Sequence, residues 1–199
     1  MTKRTVPSVI LMMLLVLSLS ACGASGNQKS TSYTGTSAST EDNREDDGGE
    51  QLIGAFQTTD LEGNEVTEAV FAQADVTFVN VWGTFCPPCI GEMPELEEIH
   101  KDLPDRFQMI GVLCDVSGEN SAQYPTALEI VEKTGVTYPS LIGSESMEDF
   151  LGTISAVPVS FFVDSNGCVI GDPVIGADIE TYKARIEELK AIYGAAEPE

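Results

Sequence analysis

Two cysteines separated by two prolines, Cys86-Pro87-Pro88-Cys89, are the residues of this chain whose types and spacing could do chemistry. A thiolate can attack a disulfide sulfur, and a second thiol three residues on can resolve the resulting mixed disulfide from within the same molecule. The setting suits that role. Residues 76–81 (VTFVNV) are a β-rich, mostly apolar run, as expected for a strand buried on both faces. Residues 88–101 show roughly helical spacing of their apolar members, with Pro88 suited to the first turn and Pro94 expected to kink the helix. Cys86 therefore falls just before a helix, where free backbone N–H groups and the macrodipole favour a thiolate. Cys89 falls one turn in. A structural disulfide and half of a zinc site are the competing readings. Structural zinc takes four protein ligands, and the sequence holds no second Cys-x-x-Cys and a single histidine, His100. No metal and no cofactor are expected.

The elements that position this pair read as an alternating α/β chain. Residues 107–114 form a second buried strand and 122–134 a helix, with Gly135 as its stop. Residues 138–142 are a short extended piece, and 146–152 a short helix. Residues 159–163 and 168–170 flank Asp164-Ser165-Asn166-Gly167 as a hairpin, and 178–193 close the domain as an amphipathic helix. Ahead of them, 55–60 and 65–66 around Gly63-Asn64 suggest an N-terminal hairpin. Alternation alone gives an α/β fold with a mixed sheet.

Three features make the pattern specific: the stretch VNVWGTFCPPC (79–89), the block AVPVSFFVD (156–164), and the helix and short strand between them. The sequence resembles the TlpA/ResA-type thioredoxin-like family of membrane-tethered thiol–disulfide oxidoreductases, over about residues 51–192. The resemblance implies a thioredoxin-like fold, a central mixed β-sheet flanked by helices, with the N-terminal hairpin and an inserted helix and strand. It also implies that Pro158 is cis and faces the cysteines, leaving the Val157 backbone to pair with a substrate strand. Cytoplasmic thioredoxins carry a buried Asp where this chain has Asn80, which cannot accept a proton. The resembling group shares the Asn and carries a Glu three residues after the second cysteine, here Glu92. A carboxylate one turn from Cys89 can exchange protons with the thiols if burial raises its proton affinity. Trp82 and Phe85 are expected to form an apolar platform around the site, with Pro87 and Pro88 tuning the potential without fixing its sign.

Outside this domain the chain reads as an address and a tether. Lys3 and Arg4 precede an apolar run over 9–17, too short for the roughly 20 residues of a transmembrane helix. Leu19-Ser20-Ala21-Cys22 follows, and resembles a lipobox in which Cys22 is lipidated and becomes the first mature residue. Residues 1–22 are thus a lipoprotein signal, 23–50 a Gly/Ser/Thr-rich acidic tether without apolar periodicity, and 51–195 the thioredoxin-like domain. Asp and Glu number 32 against 10 Lys and Arg, a net charge of −22. Such a surface repels phosphate, which argues against nucleic acid and leaves an apolar or lipid device as the means of membrane attachment.

The expected protein is a lipid-anchored, extracytoplasmic, monomeric enzyme that reduces disulfides in client proteins. The resemblance implies a membrane electron donor of the CcdA/DsbD type. Apocytochrome c, oxidised extracellular proteins and a methionine sulfoxide or peroxide reductase are the candidate clients. A thiol peroxidase is a weaker reading, since it needs one peroxidatic Cys with a differently spaced Thr. A copper-delivery protein on the same scaffold would need Cys-x-x-x-Cys and a distant histidine. Cys114 and Cys168 are expected at opposite ends of their strands, too far apart to pair.

Overall fold

The computed structural model describes residues 52–193; the signal segment with Cys22, the tether over 23–50, Gln51 and residues 194–199 lie outside the described residues. In chain order the elements are β1 (Gln57–Thr59), β2 (Glu65–Thr67), a 3₁₀ turn (Glu68–Gln73), β3 (Val76–Trp82), α1 (Pro87–Lys101), β4 (Phe107–Leu113), α2 (Tyr124–Thr134) and β5 (Ser140–Ile142). A second 3₁₀ turn (Glu145–Met147) runs into α3 (Glu148–Thr153), followed by β6 (Val159–Asp164), β7 (Val174–Ile175) and α4 (Ile179–Tyr193). β1 and β2 form a separate antiparallel hairpin. The main sheet has the order β5-β4-β3-β6-β7, with β3, β4 and β5 parallel and β6 and β7 antiparallel to their neighbours.

Every residue of β3 is buried because the strand is central and both its faces are covered. Side chains alternate across a strand, so Phe78 and Trp82 join Met93 and Leu96 of α1, Ala127 of α2 and Tyr182 and Ile186 of α4 in one core layer. Val79 and Val81 join Phe56, Phe71 and Phe150 in the layer beneath. Asn80 shares the α1 face with Phe78 and Trp82. Its partners across the ladder are Ser160 on β6 and Gly111 on β4, and Gly111 in turn faces Ser140 on β5. One polar row thus crosses an otherwise apolar face below α1. Gly111 is required there, since a Cβ would lie 2.8 Å from Ser140 Oγ and 3.0 Å from Trp82 Nε1.

The mixed sheet flanked by helices is the architecture expected, with three differences. The second arm of the C-terminal hairpin is not a strand at 168–170. The turn forms as expected, Gly167 donating to the Asp164 carbonyl, but Val169 makes only an isolated bridge to Val163 and the ladder resumes at β7. Gly171, at a positive φ, and Pro173, which has no N–H to give, break the arm between them. The 3₁₀ turn Glu68–Gln73, capped by the Thr67 hydroxyl, has no apolar periodicity to announce it. Finally, α2 begins at Tyr124 rather than 122, with Pro125 in its first turn, whereas α1 runs through Pro94 to Lys101 as expected.

Candidate active site

β3 delivers the chain to the sheet's upper edge, and Gly83–Phe85 turn it into α1. Cys86 is the N-cap of that helix, with extended backbone angles. Pro87 and Pro88 occupy the first helical positions, where a missing N–H removes a donor that would otherwise lack a partner. The first N–H available to cap is therefore that of Cys89, and it donates to Cys86 Sγ at 3.2 Å. Cys86 and Cys89 are joined by a disulfide with an S–S distance of 2.01 Å. On reduction, the same amide and the helix N-terminus stabilise negative charge on Cys86.

The Val157–Pro158 peptide is cis, and the Val157 carbonyl oxygen lies 3.6 Å from Cys86 Sγ. That contact partly covers the sulfur. Cys86 is 4% exposed and Cys89 1%, so in the disulfide form they differ by position in the helix more than by solvent access. The turn before them is pinned by Asp115, whose carboxylate accepts from both the backbone N–H and the hydroxyl of Thr84.

The apolar platform expected of Trp82 and Phe85 is half present. Phe85 is 66% exposed beside the disulfide, whereas Trp82 is fully buried. Its position on the α1 face of β3, with space left by Gly111, draws the indole into the core and away from any client. Cys114, at the end of β4, donates its N–H to the Trp82 carbonyl, and neither it nor Cys168 is in a disulfide. Burial, and then Asp115, push the Cys114 thiol up, which disfavours a nucleophilic role at neutral pH.

Glu92 points inward. It lies one turn beyond Cys89 on the buried stripe of α1, and is 3% exposed; residues three apart on a helix share a face. Asn80 Nδ2 donates to Glu92 Oε1 at 3.0 Å and to Ser160 Oγ at 3.0 Å. The Tyr182 hydroxyl, from α4, is 3.2 Å from Glu92 Oε2 and 2.8 Å from the Gly176 carbonyl. Burial is the largest influence on Glu92 and raises its pKa from 4.5 to about 7; Asn80 and Tyr182 pull it down, and Glu95 adds a smaller push upward. Such a carboxyl both takes and gives a proton near neutrality. Ser160 and Tyr182 were not singled out from the sequence. The signal for Ser160 was a polar residue within the apolar run 159–163, in register with Asn80. Tyr182 carried no comparable signal.

Fold and site together define a thioredoxin-like protein with a reducible Cys-x-x-Cys pair at a helix N-terminus and a buried carboxyl one turn behind it. The chain belongs to the Redoxin family, whose model matches residues 47–184. It is similar to the thiol-disulfide oxidoreductase ResA of Geobacillus kaustophilus, at 30% identity over 56% of this chain and 61% of that protein. It is also similar to ResA of Bacillus anthracis, at 29% identity over 61% of this chain and 66% of that one. The matched stretch thus spans slightly under two thirds of these relatives' length. Among solved structures, MTB DsbF superposes with a TM-score of 0.56 at 25% identity, over 70% of this chain and 96% of that one. StoA from Bacillus subtilis shares the fold, with a TM-score of 0.53 at 18% identity over 68% and 98%.

Proposed function

We propose that the protein is a membrane-anchored, extracytoplasmic thiol–disulfide oxidoreductase that reduces disulfides in client proteins. The observation that carries this reading is the Cys86–Cys89 disulfide at the N-cap of α1, next to the Val157 carbonyl. In the reduced protein the Cys86 thiolate attacks one sulfur of the client disulfide. A Cys86–client S–S bond forms, the client S–S bond breaks, and the first client thiolate leaves. Cys89 then gives its proton to Glu92, and its thiolate attacks Cys86 Sγ. The mixed disulfide breaks, the second client thiolate departs, and the Cys86–Cys89 bond closes. The client gains two electrons and the protein dithiol loses them. The Val157 backbone and exposed Phe85 supply the edge on which a client segment rests.

The anchor is Cys22, supported by the lipobox-like Leu19-Ser20-Ala21-Cys22 after a short apolar run. Two electrons must return to the pair after each turnover, and a membrane dithiol donor of the CcdA/DsbD type is the source the resemblance supports. Apocytochrome c is the first client to test. Rapid mixing of the reduced protein with a peptide disulfide should give stoichiometric oxidation that Cys86→Ser abolishes. A potential for the Cys86/Cys89 couple near about −250 mV or below supports a reductase, and one near about −120 mV overturns that direction. For the anchor, Cys22→Ser should release the protein from the membrane fraction or leave it unprocessed; unchanged detergent-phase partitioning would rule out lipidation.

A further inference from the structure

The proton that Cys89 gives up goes to a carboxyl with two hydrogen-bonded partners, and they are not equivalent. Asn80 presents an amide N–H₂ to Glu92 Oε1, a group that only donates. Tyr182 presents a hydroxyl to Oε2, and a hydroxyl both donates and accepts. It carries one proton for two acceptors, the Gly176 carbonyl at 2.8 Å and Glu92 Oε2 at 3.2 Å, and Ser160 is hydrogen-bonded to it as well. With Glu92 ionised, the phenol donates to the carboxylate. With Glu92 protonated, the carboxyl donates to the phenol oxygen and the phenol proton turns to Gly176. Each state of Glu92 therefore keeps a partner, without movement of the backbone.

Gly176 is held in place for this. At φ +91° it sends its N–H to the Pro158 carbonyl at 2.8 Å while its own carbonyl meets Tyr182. The ring packs edge-on against Phe78, centroids 5.1 Å apart, so the hydroxyl is fixed from the side as well. We propose that Tyr182 is a positioning residue for the thiol chemistry, its hydroxyl holding Glu92 Oε2 and thereby setting how readily that carboxyl accepts the Cys89 proton. This rests on the reading of Glu92 as that acceptor.

The groups facing Glu92 come from every element packed on it. They are Cys89 and Glu95 along α1, Asn80 from β3, Ser160 from β6, Tyr138 ahead of β5, and Tyr182 from α4. Burial keeps both phenols protonated at neutral pH: it is the largest cause that pushes Tyr138 up and that raises Tyr182 to about 12. Tyr182 therefore acts here as a neutral hydrogen-bond partner that does not itself ionise.

The test is rapid mixing of the reduced protein with a symmetric aromatic disulfide that releases a coloured thiolate. The first release reports attack by Cys86, and the second reports resolution by Cys89. Tyr182→Phe keeps the ring and removes the donor. Loss of a hydrogen bond to a charged group should move the midpoint of the second phase up by about one pH unit. Below the midpoint the second phase should then slow by up to about tenfold. In a Glu92→Gln background the same change should leave the second-phase profile where it was. An unmoved midpoint in Tyr182→Phe, or an equal shift in both backgrounds, overturns the proposal. If Glu92→Gln alone leaves the profile of the second phase unchanged, the acceptor role of Glu92 fails first, and this inference with it. Should Tyr182→Phe not fold, 3-fluorotyrosine at 182 supplies a stronger donor at nearly constant shape. It should move the midpoint down, and no shift or an upward one overturns the proposal.

Discussion

Replacing Glu92 by Gln removes a titrating group from the core at nearly constant size, so the variant measures what the buried carboxyl does to stability. In the oxidised protein burial holds Glu92 at about 7, against an ordinary value of 4.5. Between those values the folded chain keeps a proton that the unfolded chain has released. Folding is therefore favoured by this group below pH 4.5, and the contribution is lost as pH rises through about 7. One pKa unit corresponds to about 1.4 kcal/mol, so Glu92 withdraws on the order of 2–3 kcal/mol between pH 5 and pH 8.5. Gln cannot titrate, and the carboxylates elsewhere titrate in both chains and cancel in the difference. Urea denaturation of both oxidised proteins at the two pH values should therefore show the difference moving in favour of Glu92→Gln by about that amount as pH rises, with unchanged m-values. A difference that stays constant with pH would refute the claim that the carboxyl is buried and protonated near neutrality.

Two further outcomes follow from the geometry of the pair. With Cys86 as the attacking sulfur at the N-cap and Cys89 as the resolver, Cys89→Ser should accumulate mixed disulfides with clients and Cys86→Ser should not; non-reducing gels of trapped extracts decide it, and the reverse pattern would misplace the nucleophile. Pro88→Ala restores an N–H in the first turn of α1 that can cap Cys86 Sγ, so the Cys86 thiolate should be favoured and the couple become more oxidising by about 30 mV, read from equilibration with glutathione; an unchanged potential would mean that the added amide does not reach the sulfur.

What could be read from the sequence was what is local. The strand that runs into the cysteines, the prolines that start α1 and the Asp164–Gly167 turn depend on neighbours a few residues away. The apolar run placed the strand, and proline and the turn residues placed the other two. Glu92 is intermediate. Four acidic residues crowd α1, and only helical phase separates Glu92, in line with Cys89 and Leu96, from the solvated Glu95 and Glu98. Glu97 is buried as well, and is satisfied by the backbone N–H and hydroxyl of Thr137. The lost hairpin arm and the burial of Trp82 were missed because each depends on an element elsewhere. Pro173 and Gly171 divert the chain to β7, and Gly111 on a neighbouring strand makes room for the indole.

The same division has a chemical consequence. Among the described residues, the groups that cap Cys86 lie within four residues of it: the helix N-terminus and the Cys89 amide, with the two prolines limiting competing donors. The groups bonded to Glu92, the proposed acceptor of the second proton, come from afar, since Asn80 is 12 residues from Glu92 in sequence and Tyr182 is 90. Asn80 and Ser160 hold their relation to each other through the register of β3 and β6, and Tyr182 through the packing of α4 on Phe78. In the proposed cycle, the capping of Cys86 and the proton transfer from Cys89 thus draw on different parts of the chain. A change between the cysteines alters the first and leaves the network under Glu92 intact. A change at β6 or α4 alters the second without touching the N-cap. In the proposed cycle this arrangement lets the two residues between the cysteines move the potential while the hydrogen bonds to Glu92 keep their geometry.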